Sequence, residues 1–583
     1  MKNNRLTKLL LALLTCFLIL MAAVSFGIKR EDAEQPAALL QRITLHSEDG
    51  VFSVRLVQNT AGEERWFFFL PAGMDADSAV LDLPSHMTIS FNGASYQNGD
   101  TPRLSPGSFF PGFEVHYRGK CILSSSLEIL QAQNTPSLFL SVIGDGSFEK
   151  VREDPTKKTV IPVAYQSVAA DGLPDASGQC TFGGRGNVTW RIVQTKKPYK
   201  MTLSTPASFF GMNAATKWTL LANYYDDTCL RNHIAFETAR RLNCEDTPDD
   251  TFVNLYVDGA YQGLYQMTQK PDMDGGSIRV FRGENYHLEF NTEGWVNEDV
   301  MTYDSSLKLI SLNYPSVLRS DQWERLTRNI DETEASLTKN DDYRTFIDEA
   351  SFVKQFLIHE AYLNKDVDFS SQFIVQKSPD PLWYAGPLWD FDRSFGADEM
   401  KLSYNGIETQ VMWIEGMTRG GSVDSGWYKA LYDNPVFHAS VKTYYTDTFS
   451  RVFGEMTGLV PLWEKEIKTS VAMDHALYGY ALDDHTKACA RITNWMEERR
   501  AFLDAFWKNE EPYICVTFLS AQDEDNWHDM HYYCLPETPI EQFPDGNGIV
   551  GWKTEDGEEV RPGVSFSTDV RLYPLYETNS PNE

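Results

Sequence analysis

The chain is short of basic residues and of cysteine, and each shortage closes a class of function. Lys and Arg total 52 against 82 Asp and Glu, a formal net charge of -30. A nucleic-acid partner needs a basic excess that displaces counterions, so that class is excluded. An acidic exterior instead favours cationic partners or divalent ions. Only eight cysteines occur in 583 residues, and no Cys-X-X-Cys pair is among them. A redox motif or zinc ribbon of that kind is therefore excluded. Seven cysteines lie beyond Cys16, an odd number. Cys515 with Cys534 is the local candidate for a disulfide, with free buried thiols as the alternative. Disordered composition is also excluded, since 42% of residues are hydrophobic and 13% aromatic.

Long apolar runs are missing too, with one exception. Lys2, Arg5 and Lys8 precede an apolar stretch from Leu9 to Ile28, close to the ~20 residues that span a bilayer. Residues 1–28 read as a signal peptide or signal anchor with the basic end inside. Ala22-Ala23-Val24-Ser25 offers a cleavage site, and an uncleaved anchor is slightly favoured. The rest of the chain is then extracytoplasmic, either secreted or held at the membrane through this segment.

What is present suggests several domains, because 583 residues exceed one core. Residues 38–150 carry short alternating runs such as Phe52-Ser53-Val54-Arg55-Leu56-Val57, punctuated by Asn92-Gly93 and Asn98-Gly99. They read as an all-β, antiparallel sandwich. Residues 158–508 mix strands with amphipathic helices, expected over 230–242, 352–363 and 483–507. Residues 513–578 read as a small β module. There Ile549-Val550-Gly551-Trp552 resembles the Gly-Trp repeat modules of bacterial surface proteins. His528, His531 and Cys534 have ligand-like spacing in this tail and are read as incidental.

The chemistry lies in the central region. Pro387-Leu388-Trp389-Asp390-Phe391-Asp392-Arg393-Ser394-Phe395-Gly396 sets two carboxylates around an aromatic residue. Asn364-Lys365-Asp366-Val367-Asp368 is a second acidic cluster. Hard divalent cations take oxygen ligands, and phosphoryl transfer uses them to neutralise phosphate charge. Acidic turns that cap helices are the bland alternative. Upstream, Phe182-Gly183-Gly184-Arg185-Gly186-Asn187 reads as a strand-turn-strand that approaches phosphate oxygens. Lys196-Lys197-Pro198-Tyr199-Lys200 follows on a strand, where a phosphate-pairing lysine belongs. A helix after Asp227 or Thr228 as N-cap carries Glu237, which meets either a strand lysine or its own neighbours Arg240 and Arg241. A hairpin turns at Asp258-Gly259.

In this order the motifs are those of a protein kinase without its usual local signatures. Gly184-Arg185-Gly186-Asn187-Val188-Thr189-Trp190, Lys197-Pro198-Tyr199-Lys200, Leu221-Ala222-Asn223-Tyr224-Tyr225-Asp226, Leu230-Arg231-Asn232 and Gly386-Pro387-Leu388-Trp389-Asp390-Phe391-Asp392 resemble the spore-coat protein H (CotH) kinase family. The hairpin Leu255 to Tyr265 belongs to the same set, and the resemblance covers about residues 158–508. It implies an atypical protein-kinase fold that uses ATP with Mg²⁺ or Mn²⁺ to phosphorylate Ser/Thr of secreted, surface or coat proteins. It implies Asp366 as the catalytic aspartate and Asp390 as metal ligand, with Asp392 in reserve. Lys200 would pair with phosphates, with Lys197 as its rival. Arg185, Gly186 and Asn187 would lie over the nucleotide, and Glu237 would pair with the lysine. Asn364 would orient Asp366. Family members place an asparagine shortly after the catalytic aspartate; here Phe369-Ser370-Ser371-Gln372-Phe373 has none, and Ser371 or Gln372 is the substitute. A non-catalytic surface or coat binding protein, or another ATP-dependent transferase, are the alternative readings.

Overall fold

Alternating apolar residues close the first two sheets. In the computed structural model, described for residues 35–576 except 61–64, 194, 293–299, 340–341, 369, 398–401, 404–405, 415–425, 480–484, 520–528 and 547, Thr44–His46 pairs with Ser53–Arg55 and with Val80–Asp82. A second sheet of six strands has, next to its edge strand Val57–Gln58, the strand Arg65–Leu70. That strand runs parallel to Lys120–Gln131, so the region is not wholly antiparallel as its turns suggested. Trp66 to Leu70 are all buried, because both faces of the strand are covered. One cover is the barrel that follows: the Tyr256 hydroxyl donates to Phe69 O at 3.1 Å, and Phe69 packs on Tyr261 at 4.7 Å.

The barrel closes over seven strands: Ser137–Val142, Val160–Val168, Pro174–Gly184, Tyr199–Ala207, Ala215–Leu221, Ala260–Gln269 and Asp250–Val257. Its first strand belongs here and not to the N-terminal sheets, since Ser137–Val142 pairs antiparallel with Val160–Val168 and parallel with Asp250–Val257. Phe182, Met201, Trp218, Leu255 and Met267 fill the interior. Tyr199, Met201 and Leu203 point inward while Lys200 and Thr202 point out, as a period of two requires. The Asp258-Gly259 hairpin forms as read.

Helices Arg231–Arg241, Ser320–Leu337, Glu349–Ala361, Ser450–Tyr478 and His485–Leu503 build the other half. They surround a five-stranded sheet that includes Asn285–Asn291, Gln372–Lys377 and Trp383–Ala385. The structure is thus mixed α/β with several sheets. No described helix is long and apolar enough to cross a membrane, and residues 1–28 lie outside the described residues.

The C-terminal strands do not stand alone. Ile514–Phe518, Met530–Cys534, Ile549–Lys553 and Val570–Tyr576 share a sheet with Leu402–Ser403 and Val411–Met412. Cys515 and Cys534 are on adjacent strands and both are free thiols. His528 lies outside the described residues. Among those described, the only group of three or more metal-ligand side chains able to share an ion is elsewhere.

Candidate metal centre

Two loops meet in front of the barrel. The first leaves the helix Glu349–Ala361, whose end turns at Leu363 with φ +50°. Asn364, buried to 2% exposure, follows. Its Oδ1 accepts from the Asp366 amide at 3.1 Å, and its Nδ2 reaches Asp390 O at 3.4 Å. One side chain therefore fastens both acidic loops together. The same Nδ2 lies 3.1 Å from His359 Nδ1. Since Nδ2 donates, that ring nitrogen accepts and His359 is neutral. Burial agrees, pushing the imidazole down to about 3.

The second loop carries Asp390, Phe391 and Asp392. Phe391 is buried and stacks on His359 at 5.1 Å, and Trp389 stacks on Phe236 at 5.9 Å. With both aromatic rings anchored, the alternating carboxylates are turned the other way. The Phe391 amide donates to Asn232 Oδ1 at 2.8 Å, which fixes the loop to the helix Arg231–Arg241. Asp390 has φ +64°, a left-handed conformation that Asp tolerates better than most residues. The outcome is that carboxylate oxygens of Asp366, Asp390 and Asp392 all lie within 4.8 Å of one another.

Three carboxylates at that spacing repel each other. Burial pushes the Asp390 carboxyl up. Burial and then Asp390, Asp366 and Asp226 push Asp392 well above the usual range. Nearby cations offset only part of this. Arg393 Nη1 donates to Asp366 Oδ1 at 3.1 Å. Arg185 lies over the Trp389 ring at 5.6 Å and is attracted by Asp390 and Asp392. Arg231 is engaged with Asp226 at 2.6 Å and Asp227 at 3.2 Å. An all-oxygen set with no nitrogen or sulfur suits Mg²⁺ or Mn²⁺, not zinc. The residues fit a hard divalent ion, which would relieve the repulsion.

The remaining sequence-predicted residues divide. Lys200 is exposed and has no ion pair among the described residues. Its ammonium is pushed down by partial desolvation, then by Lys270, Arg185 and Lys217. Of these cations, Arg185 is the one attracted by Asp390 and Asp392, while Lys217 and Lys270 are paired with Asp272. Lys197 is buried instead, with Nζ 4.5 Å from the Trp190 ring centre. Gly186 O and Asn187 Oδ1 accept from Lys157 Nζ at 2.6 and 2.9 Å, so that part of the turn is tied to the barrel rim. The glycines lead not into a hairpin but into a short helix, Val188–Ile192. A Cβ at Gly184 would run into the Trp190 ring, so packing of that indole explains this glycine. Glu237 meets no lysine. Arg240 Nε and Arg241 Nε bind it at 3.0 and 2.8 Å, the intrahelical alternative. The N-cap differs too: it is Leu230, with no side-chain cap, while Thr228 Oγ1 accepts from the Leu230 amide at 3.0 Å and Asp226 Oδ2 from the Arg231 amide at 2.8 Å.

Several site residues escaped sequence reasoning. Arg393 stood inside the acidic motif without a role. Asn232 stood in a quoted motif, again without one. Glu289 accepts from the Ser371 amide and from Asn313, both at 3.1 Å, and is pushed up by burial beside Asp390. No short motif marks it. Of the two substitutes for the missing asparagine, Ser371 reaches the site, its hydroxyl donating to Asp390 Oδ2 at 3.4 Å. Gln372 is buried on the strand opposite Phe290.

The family model described as CotH kinase protein matches residues 184–503, more than half of the 583 residues. This chain belongs to the CotH kinase family. The match takes in Arg185, Lys200 and all three carboxylates. No curated protein sequence matches this CotH kinase family member. Among solved structures, the "crystal structure of the Golgi casein kinase with Mn/ADP bound" is similar at 9% identity and a TM-score of 0.20. The similarity covers 64% of this chain and 74% of that one. A second, "Crystal structure of the golgi casein kinase", has 10% identity and a TM-score of 0.19, over 64% and 73%.

Proposed function

We propose that this chain is an atypical protein kinase that transfers the ATP γ-phosphoryl group to Ser/Thr hydroxyls of exported, surface or coat proteins. The observation that carries the reading is the convergence of Asp366, Asp390 and Asp392 within 4.8 Å, with Arg185 attracted by two of them. Family membership supports it. Asp390 and Asp392 would hold Mg²⁺ or Mn²⁺, and the bound ion supplies neutralisation of phosphate charge. Asp366 accepts and orients the substrate hydroxyl proton. Arg393 donates to that carboxylate and aims it. Lys200 and Arg185 pair with nucleotide phosphates, and an anion there would offset the partial burial and the repulsion from Lys270, Arg185 and Lys217 that push the Lys200 ammonium down. Asn364 holds the two loops in register. Export through residues 1–28 would bring the enzyme to its protein substrates.

The test is label transfer from γ-labelled ATP with Mn²⁺ to an acceptor mixture. Asp366→Asn should keep nucleotide affinity while turnover falls by ~10²–10⁴-fold. Asp390→Ala should lose metal-dependent nucleotide binding. No label and no nucleotide binding in the unaltered chain would overturn the proposal in favour of a non-catalytic binding protein. Binding without label to any acceptor would point to another transfer chemistry.

A further inference from the structure

A second concave site lies on the helical half, away from the carboxylates. Two continuous helices each carry a π-helical turn, at Tyr445–Phe449 before Ser450–Tyr478 and at Asp504–Lys508 after His485–Leu503. Such turns are rare, and are frequent at functional sites. Here the two turns pack on each other. Tyr445 lies 4.9 Å from Trp507, and the Tyr445 and Ser450 hydroxyls donate to Asp504 Oδ1 at 3.0 and 2.6 Å. Beside this joint is a cavity of about 300 Å³.

Its wall is cationic in a chain of net charge -30. Arg451, Arg500 and Lys508 line it against one carboxylate, Glu455. Glu455 is already shared between Arg451 and Arg241. Lys508 is exposed and has no ion pair among the described residues. Arg500 lies across Gly454, where a Cβ would stand 2.5 Å from its Nη1. Its Nε is buried without a hydrogen-bond partner, and its nearest carboxylate oxygen, on Asp504, is 3.8 Å away. Thr446 and Ser450 add hydroxyls to the wall. The guanidinium groups of Arg451 and Arg500, the Lys508 ammonium and the Thr446 hydroxyl together match the oxygens of a phosphoryl group.

We infer that this pocket is a second ligand site, one that binds a phosphoryl oxyanion, either free phosphate or a phosphorylated side chain. It is separate from the carboxylate centre. The helix Arg231–Arg241 touches the centre through Asn232 and the pocket wall through Arg241, ~14 Å apart at 1.5 Å per residue. The inference does not depend on the kinase reading.

Calorimetric titration of the full chain, without nucleotide or divalent ion, tests it. The probes are inorganic phosphate, a peptide with one phosphoserine, and the same peptide unphosphorylated. Saturable binding of one phosphoryl group per chain is expected. Arg500→Gln with Lys508→Gln should weaken it at least ~10-fold, the loss of charge-assisted bonds. Lys508→Gln alone, at an exposed lysine that folding does not need, should weaken it several-fold. Asp390→Ala should leave it unchanged. Tighter binding of the phosphopeptide than of phosphate assigns a phosphorylated segment, and equal binding assigns free phosphate. Absence of saturable binding overturns the inference. So does equal binding of the unphosphorylated peptide, affinity unchanged in the double variant, or affinity lost only in Asp390→Ala.

Discussion

Glu360 and Asp366 stand six residues apart in the chain, yet one joins a buried charge group in balance and the other a group in deficit. Glu360 accepts from the Trp413 and Ile414 amides, both at 2.7 Å, and from Arg499 Nη2 at 3.1 Å. Arg499 also donates to the carbonyls of Ala361, Thr409, Val411 and Glu360. Neither side chain is exposed at all. Burial pushes Arg499 down to about 10, and it still carries its charge at neutral pH. Asp366, Asp390 and Asp392 instead place three carboxylates together with less positive charge than they need. The first arrangement holds helices in place. The second stores repulsion that a divalent ion would relieve. Matched buried charge marks structure here, and the half-buried, mutually repelling carboxylates mark the candidate site.

Breaking the balanced pair should have the largest effect on stability. Arg499→Met leaves Glu360 buried and uncompensated, and should destabilise the chain by ~3–5 kcal/mol. Denaturant unfolding measures this, and a loss well below that would show that the pair is not a structural anchor. A variant within the deficit group should act on binding more than on folding. Asn364→Leu unfastens the two loops and should weaken Mn²⁺ affinity by ~10–100-fold, as loss of a supporting hydrogen bond does at metal sites. Metal titration by calorimetry checks it, and unchanged affinity would remove Asn364 from the account. The smallest effect belongs to Glu237. Its arginine pairs are partly exposed, so Glu237→Gln should change stability by only ~0.2–1 kcal/mol and leave nucleotide affinity alone. A large loss of nucleotide binding would restore the lysine-pairing expectation.

The contrast also explains what was legible in the sequence. Alternation is local, so Lys200 opposite Tyr199 and Met201 was readable. The two carboxylates around Phe391 were readable as a motif, but the turn that brings them together, with Asp390 at φ +64°, was not. Contacts between distant segments left no such trace: Arg393 reaches Asp366 across 27 residues, and Asn232 reaches Phe391 across 159. Gly184 misled because a glycine needed for close packing of Trp190 looks the same as one needed for phosphate. Leu402–Ser403 and Val411–Met412 are strands of two residues, too short for any period, so the C-terminal module seemed independent. The Ser137–Val142 run was legible as a strand, but its partner sheet was not, because its neighbour Asp250–Val257 lies over a hundred residues away.

The most direct measurement is thermal unfolding of the unaltered chain and Asp392→Asn, each with and without Mn²⁺. Burial, and then Asp390, Asp366 and Asp226, push the Asp392 carboxyl well above the usual range. Without the ion, Asp392→Asn should unfold at a higher temperature than the unaltered chain, because the cost of burying that carboxyl beside Asp390 and Asp366 is gone. With Mn²⁺ the order should reverse, since ligand binding stabilises the folded state by mass action and the variant binds more weakly. A variant that unfolds at a lower temperature without Mn²⁺, and gains as much from Mn²⁺ as the unaltered chain, would contradict the account.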